Sequence, residues 1–482
     1  MSIRKSLAWS YGSQAFTLVL NFISSVVLAR LLSPREMGTF AFAVAVTGVL
    51  AVFTQLNLVS YIVREGELDK NDVRSVFTLN AAMNVLLTVL VIAIAAVERF
   101  VLDEPQIALI LLVGSVLPLL QIFEFIPVAL YARELNYAAM SQVGIYRTVI
   151  NVAVILACAY GGLGALSPTL GPVVATVFTA TYYTAARWQD VIFRPTRRGF
   201  RPVLVFGLQM LSIGGVAQIA QRASDIVLGR LLGLAALGLY SRASNLANLM
   251  WTSVYGQATG AVFSRMAEDL RRKDTLHETY LLSMKMITAI MWPVMLGVAV
   301  LARPLVFRLY GERWLPAAVP LALLMIGQFV ALGYGMAWEL FVLRRETGRQ
   351  ARFELFRAVV GLAMFSVGCL YSITAAAIGR VGEAIVGYLL YRPQVDRLAG
   401  VEQGELERVF AESLLLAAAA ITPAFVIMAW SGWAADAPLP RVIAGIVLGV
   451  GGWLGVLAAR DHPLLAEMRL VWSKARVLMG SR

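Results

Sequence analysis

The stretch LARLLSPREMGTF at residues 28–40 returns as LGRLLGLAALGLY at residues 228–240, 200 residues later in the sequence. Aligned without gaps, residues 21–40 and 221–240 share seven of twenty residues. The shared residues include one arginine, Arg30 or Arg230, and one glycine, Gly38 or Gly238. Because both fall at one fixed offset, they favour an internal repeat over a chance match between leucine-rich segments.

The composition of the chain is that of an integral membrane protein. Of its 482 residues, 59% are hydrophobic and only 15% are charged, whereas a soluble domain carries about 25% charged residues. Apolar stretches recur that are long enough to cross a hydrocarbon core of about 30 Å, which takes about 20 helical residues. Outer-membrane barrels are excluded, because their strands are about ten residues long and alternate in polarity. The sequence therefore predicts an all-α polytopic membrane protein.

The apolar stretches predict about fourteen transmembrane helices. They lie at residues 8–29, 37–62, 75–97, 107–131, 139–160, 166–186, 203–230, 236–263, 279–307, 316–343, 353–373, 375–395, 409–430 and 441–459. Residues 461–482 follow as a mixed apolar and basic tail, which is typical of an amphipathic helix on the cytoplasmic membrane surface.

The repeat predicts two pseudo-symmetric lobes. Its copies lie at the junction of spans 1 and 2 and at that of spans 7 and 8, which are equivalent positions in two halves of six helices. An even number of spans makes the halves parallel repeats, as in one known class of transporters, where two lobes surround a central cavity and give alternating access. We predict an N-lobe at residues 1–200, a C-lobe at 201–400 and two additional helices at 401–460.

The shared residues of the repeat have a structural interpretation. Arg30 and Arg230 come near the ends of spans 1 and 7, where an arginine anchors a helix hairpin at the interface. Gly38 and Gly238 open spans 2 and 8, where glycine lets helices approach closely. Contact with substrate is the alternative for both arginines.

Lysine and arginine residues predict the orientation. With the N-terminus in the cytoplasm, the basic segments at 187–202, 265–273 and 344–352 are also cytoplasmic, as the positive-inside rule requires. Both termini are then cytoplasmic. The net charge of +12 follows from this topology and is spread over short loops, so we do not expect nucleic acid to be a partner.

Residues for metal, redox or nucleotide chemistry are sparse. Cys158 and Cys369 both fall inside predicted spans, which argues against a disulfide framework. His277 and His462 lack a second ligand at metal spacing, and no Gly-rich phosphate loop occurs. We therefore predict no metal site, no cofactor and no enzymatic activity.

Polar residues at helical spacing predict a water-filled path. In span 1 they recur every three or four residues and so share one face. Interhelical hydrogen bonding explains single polar residues in lipid, but it explains stripes of several turns less well. The predicted cavity-lining residues are Gln14, Asn21, Ser25, Asn57, Gln218, Asp225, Asn245 and Asn248.

Four phrases resemble a known family. They are VVLARLLSPREMGTFAFA (26–43), LYARELNYAAM (130–140), RASDIVLGRLLGLAALGLYSRASNL (222–246) and PLVFRLYGERW (304–314). They are similar to the oligosaccharide flippase, or polysaccharide transporter, family, whose superfamily also contains multidrug exporters and peptidoglycan-precursor flippases. The resemblance implies twelve to fourteen helices in two lobes. It also implies transfer of undecaprenyl-diphosphate-linked oligosaccharides from the inner to the outer leaflet of the bacterial cytoplasmic membrane, for exopolysaccharide or O-antigen synthesis.

Basic residues inside spans are candidates for binding such a diphosphate, because a charge at mid-membrane usually faces a cavity or a partner. The candidates are Arg147, Arg222, Arg242, Lys285 and Arg357. Arg222 has an alternative in a structural pair with Asp225, and Lys285 and Arg357 have one in snorkelling to the interface. Glu124 and Glu339 are lone carboxylates in spans 4 and 10. Either suits a proton or sodium site, and either suits a structural hydrogen bond.

Competing functions remain distinguishable. A polymerase or ligase of lipid-linked glycans needs a large periplasmic loop, whereas the longest gap between spans here is cytoplasmic. A multidrug or other small-molecule or lipid exporter of the same superfamily stays open as the alternative. The predicted partners are the lipid-linked glycan, membrane lipid, and the polysaccharide polymerase and export machinery.

Overall fold

A computed structural model of the protein describes residues 3–54, 56, 58–64, 69–188, 196, 200–273 and 275–469. In these ranges the regular structure is helical. The helices up to residue 231 are α1 Ile3–Leu31, α2 Pro34–Thr54, α3 Leu58–Arg64, α4 Lys70–Phe100, α5 Pro105–Gly114, α6 Val116–Arg133, α7 Tyr137–Tyr160, α8 Ser167–Ala186 and α9 Phe200–Leu231. Those after it are α10 Leu234–Lys273, α11 His277–Val300, α12 Ala302–Tyr310, α13 Ala318–Leu332, α14 Ala337–Leu343, α15 Thr347–Cys369, α16 Ile373–Ala399, α17 Glu405–Trp430 and α18 Leu439–Ala459.

The all-α polytopic prediction is confirmed. Within the described ranges, ten stretches are long and apolar enough to cross a membrane: Gly12–Leu31, Pro34–Val63, Asn71–Phe100, Pro105–Arg133, Ala138–Tyr160, His277–Val300, Glu312–Leu343, Ile373–Ala399, Glu405–Trp430 and Leu439–Ala459. The other four predicted spans coincide with α8, α9, α10 and α15. These helices carry more polar and charged residues, which lowers their hydropathy, so the count of fourteen is not established by composition.

Contacts divide the chain into two compact units, Met1–Gly238 and Leu239–Arg482. The first unit includes α9, which the sequence assigns to the start of the C-lobe. The physical reason is that α9 packs along α2. Gly229 lies against the Phe42 ring, and Arg222 lies against Gly48.

The two copies of the repeat meet inside the first unit. A Cβ on Gly38 would lie 1.6 Å from the backbone oxygen of Leu234, and one on Gly238 would lie 1.8 Å from the backbone oxygen of Pro34. The close helix packing predicted for these glycines is present, and each glycine faces the other copy of the phrase. Arg230 donates to Glu98 of α4 at 2.5 Å, so the repeated arginine also ties α9 to its neighbour.

In the second unit, the last two helices pack against α11. Thr288 and Ser413 share a hydrogen bond of 2.7 Å between α11 and α17. The Trp453 indole of α18 donates to the backbone oxygen of Ala289 at 2.9 Å. Both bonds lie at buried or half-buried positions. They therefore fix how α17 and α18 are oriented against α11 in a contact that is otherwise apolar.

Candidate functional site

A break in a membrane helix shapes the candidate site. Residues 333–336 leave the helical conformation between α13 and α14, and Met336 adopts a left-handed backbone with φ of 61°. The Tyr280 hydroxyl donates to the Gly335 oxygen at 3.2 Å, and the Met336 N–H donates to the Tyr255 hydroxyl at 2.8 Å. The two tyrosines thus satisfy backbone groups that a broken helix exposes, which is what permits irregular backbone at membrane depth.

Beside this break the second unit contains a cavity of about 570 Å³. Five aromatic residues line it: Trp251, Tyr255, Tyr334, Trp338 and Tyr391. The rings of Trp251 and Tyr255 lie 4.5 Å apart, and those of Tyr334 and Tyr391 stack at 5.4 Å with 11° between their planes. Three amide side chains, Asn248, Gln328 and Gln350, supply hydrogen-bonding groups. The volume falls within the range of about 300–1,000 Å³ that small-molecule sites occupy.

A charged cluster closes one side of the cavity. The Arg357 guanidinium lies between Glu354 and Glu383, at 2.5 Å from each carboxylate. Arg380 donates to the second oxygen of Glu383 at 2.5 Å, and the Tyr391 hydroxyl donates to Glu354 at 3.1 Å. Each of these bonds has at least one charged partner, so they are among the stronger kind. The cluster balances the charge of Arg357 and fixes its position.

Gly361 makes room for this cluster. A Cβ at residue 361 would lie 2.4 Å from the Glu383 carboxyl carbon. The absence of a side chain on α15 therefore lets the carboxylate of α16 reach Arg357. Any larger residue would push Glu383 away from the two arginines.

Glu339 has a different environment. It lies in the first turn of α14, lines the cavity and is 9% exposed. No salt bridge reaches its carboxylate from the residues that the structure describes. Of the two carboxylates proposed for ion coupling, Glu339 thus keeps the environment that the sequence suggested.

Glu124 is not a lone carboxylate, which corrects the sequence interpretation. Arg147 of α7 approaches it at 3.3 Å, and the Thr179 hydroxyl of α8 donates to its other oxygen at 2.6 Å. Arg147 also donates to Thr176 at 3.3 Å. The sequence missed this pairing because the partners come from three successive helices, α6, α7 and α8, whose mutual packing a hydropathy pattern does not specify. The Arg147 side chain stays 42% exposed, so it remains accessible to a ligand.

Two other predicted cations lie outside the cavity in the second unit. Arg242 is 4% exposed, and its guanidinium lies 5.9 Å from the centre of the Trp314 ring. Lys285 of α11 pairs with Glu412 of α17 at 2.6 Å. Burial of Arg242 and pairing of Lys285 favour packing roles for both. Direct substrate contact stays a prediction for them, as it does for Arg222.

The predicted cavity-lining residues separate into groups. Asn248 lines the cavity of the second unit. The side chains of Gln14, Asn21, Gln218 and Asn245 are exposed, those of Ser25 and Asp225 are half-buried, and Asn57 lies outside the described residues. Sequence reasoning missed most of the aromatic lining, because its rings come from α10, the break at residues 333–336, α14 and α16. It also missed Glu354, although a carboxylate three residues before Arg357 is a visible pairing signal.

Comparison with known proteins decides the family. A family model described as "Polysaccharide biosynthesis protein" matches residues 27–319. The chain belongs to this family. The family resemblance noted in the sequence is therefore confirmed.

Relatives of the family include proteins named for transport and for polysaccharide synthesis. The succinoglycan biosynthesis transport protein ExoT of Rhizobium meliloti is 27% identical over 68% of this chain. The match covers 66% of ExoT, just under two thirds of its length. The teichuronic acid biosynthesis protein TuaB of Bacillus subtilis is 20% identical over 80% of this chain and 83% of its own length. The lipopolysaccharide biosynthesis protein WzxC of Escherichia coli is 20% identical over 75% of this chain and 74% of its own length.

Solved structures show the fold. The lipid II flippase MurJ in an inward closed conformation has a TM-score of 0.76 at 13% identity, covering 95% of this chain and 99% of that one. An inward-facing multidrug resistance MATE family transporter of the MOP superfamily has a TM-score of 0.60 at 15% identity, covering 80% of this chain and 96% of that one. The fold of this family member is thus shared with both transporter groups.

Proposed function

We propose that the chain is a flippase that moves an undecaprenyl-diphosphate-linked oligosaccharide from the inner to the outer leaflet by alternating access. The observation that carries the proposal is the cavity of the second unit, which joins aromatic faces, amide groups and a fixed charged cluster among membrane helices. Such a lining suits a large amphiphilic solute better than a small ion. Membership of a polysaccharide biosynthesis family and the names of the relatives support the same substrate class.

The proposal includes the finer architecture. We propose that α8, α9, α10 and α15 complete a set of fourteen membrane helices. At 40 residues, α10 is about 60 Å long at 1.5 Å per residue, which exceeds a hydrocarbon core of about 30 Å. Its polar end at residues 264–273 therefore has length to reach the cytoplasm. Both termini are cytoplasmic in this proposal, and the membrane is the bacterial inner membrane.

Arg147 is the proposed contact for the diphosphate. Its side chain is 42% exposed, and the planar fork of a guanidinium can bond two phosphate oxygens at once, which an ammonium cannot. The polymerase and export machinery are the proposed downstream partners, because a translocated repeat unit must be polymerised and released.

Deletion of the gene in its host tests the proposal. Complete lipid-linked repeat units should then accumulate on the cytoplasmic face and disappear when the wild-type chain is restored. Cells that keep normal polysaccharide and normal lipid-linked intermediates after deletion would contradict the flippase function.

Export of organic cations is the second candidate. The observation favouring it is Glu339, an acid beside aromatic rings in the cavity, since cations bind both carboxylates and ring faces. Tetraphenylphosphonium export from cells that produce the chain, with unchanged lipid-linked glycans in the deletion strain, would favour this candidate.

A further inference from the structure

The charges around the cavity of the second unit do not suit a diphosphate. Three charged side chains line it: Arg357, Glu354 and Glu339. Arg357 is the single cation among them, and two carboxylates already hold it at 2.5 Å. Charges of one sign repel more strongly in a site of low dielectric than in water. The lining thus carries one carboxylate more than it has guanidinium groups, so a doubly negative group placed here would meet a net negative lining and a cation already paired with carboxylates.

The uncharged lining suits a glycan. Sugar rings present apolar C–H faces that pack on aromatic rings, and Tyr334 and Trp338 offer such faces to the cavity. Sugar hydroxyls both donate and accept hydrogen bonds, and so do the amides of Asn248 and Gln350. Tyr391 is fixed by its bond to Glu354 and by ring contacts at 6.0 and 6.1 Å with Phe353 and Phe341. Fixed rings lower the entropy lost on binding.

We propose that this cavity is a subsite for the glycan of the lipid-linked substrate and that the diphosphate lies outside it. The assignment rests on the proposed flippase function and specifies which chemical part of the substrate the second unit holds. In this assignment Arg357 does not bind the diphosphate. It lines the sugar site in a position fixed by its two carboxylate partners. Neutral or amino-bearing sugars fit the lining, whereas strongly acidic ones do not.

Binding to two lipids that differ only in the sugar tests the assignment. The probes are the lipid-linked oligosaccharide extracted from host cells that lack the chain and undecaprenyl diphosphate without sugar, each added to purified protein in lipid nanodiscs. Trp338→Leu and Gln350→Ala remove one ring and one amide from the lining. Each should weaken binding of the glycan-bearing lipid about tenfold, which corresponds to about 1.4 kcal/mol, and leave binding of the sugar-free lipid unchanged.

Trp430→Leu is the matched control, because this tryptophan is 85% exposed and does not line the cavity. It should bind both lipids as the wild type does, and thermal melting of all three variants checks their folding.

Equally weakened binding of both lipids by the cavity variants would place the diphosphate in the cavity. Unchanged binding of both lipids would show that the substrate does not occupy the cavity. Each result overturns the assignment while leaving the deletion phenotype intact. Loss of tetraphenylphosphonium binding alone would overturn it in favour of an organic-cation site. A wild-type protein that binds neither lipid would instead contradict the flippase proposal.

Discussion

Gly38 and Gly238 pack against each other's helix at the place where the two copies of the repeat meet. The Gly238 nitrogen lies 2.9 Å from the position of a Cβ on Gly38, and the Gly38 nitrogen lies 3.0 Å from that of a Cβ on Gly238. The contact is reciprocal, and its nearest atoms are backbone atoms, which cannot rotate away as a flexible side chain does. The repeated glycine therefore has the packing function predicted from the sequence, and the structure adds that each copy packs against the other.

Alanine at either glycine should separate α2 from the start of α10. We expect Gly38→Ala and Gly238→Ala each to lower the free energy of unfolding by about 1–3 kcal/mol, the usual cost of overpacking. The double variant should lose less than the sum, because the first substitution already moves the helices apart. Thermal unfolding of the purified protein in detergent measures these effects.

Gly256→Ala is the control for this pair. Apart from its chain neighbours and the backbone of its own helix, no atom of the described residues lies within 4 Å of the Cβ position at residue 256 of α10, so the variant should melt at or slightly above the wild-type temperature. Wild-type melting of Gly38→Ala would contradict the packing explanation.

Glu383 should be the most sensitive member of the charged cluster. Glu383→Ala removes one of the two carboxylates that hold Arg357 and the carboxylate that pairs with Arg380, and breaking a buried pair costs about 3–5 kcal/mol. Glu412→Ala removes the partner of Lys285, but the Glu412 side chain is 41% exposed, and an exposed pair contributes about 0–1 kcal/mol. Melting temperature and membrane abundance should fall far more for the first variant. Similar losses for both would show that burial does not set the strength of these pairs.

Ion coupling should depend on Glu339 rather than on Glu124. Glu339→Gln removes a titratable carboxylate that faces the cavity, so transport should lose its dependence on pH or on sodium. Glu124→Gln weakens the contact with Arg147 and should lower stability while the ion dependence persists. Transport measured across pH and sodium concentration separates the two variants. Unchanged ion dependence in Glu339→Gln would assign coupling to another group or to the membrane potential acting on a charged substrate.

Reporter fusions test the orientation. Fusions after residue 201 and at the C-terminus should be active only with a reporter that works in the cytoplasm, because the basic loops are predicted to lie there. A periplasmic signal at either position would rule out the proposed fourteen-helix topology.

The sequence predicted the helical elements well, because the hydropathy of a segment and its glycine positions depend only on neighbouring residues in the chain. It located Asn248, Arg357 and Glu339, which line the same cavity, because polar residues in apolar helices stand out. It did not reveal that Arg147 and Glu124 meet, nor that Arg242 is buried beside Trp314. Those outcomes depend on helix packing across long sequence separations. The break at residues 333–336 was also missed, because glycines in apolar segments are common in membrane helices.

Reconstitution tests the central proposal most directly. Purified protein is inserted into vesicles that contain the lipid-linked oligosaccharide extracted from the deletion strain, and a glycosidase added outside reports how much glycan becomes accessible. The flippase account predicts that glycan from the inner leaflet is cleaved in vesicles with the protein and stays protected in vesicles without it. Equal protection in both vesicle populations, with a supplied ion gradient and membrane potential, would contradict the account.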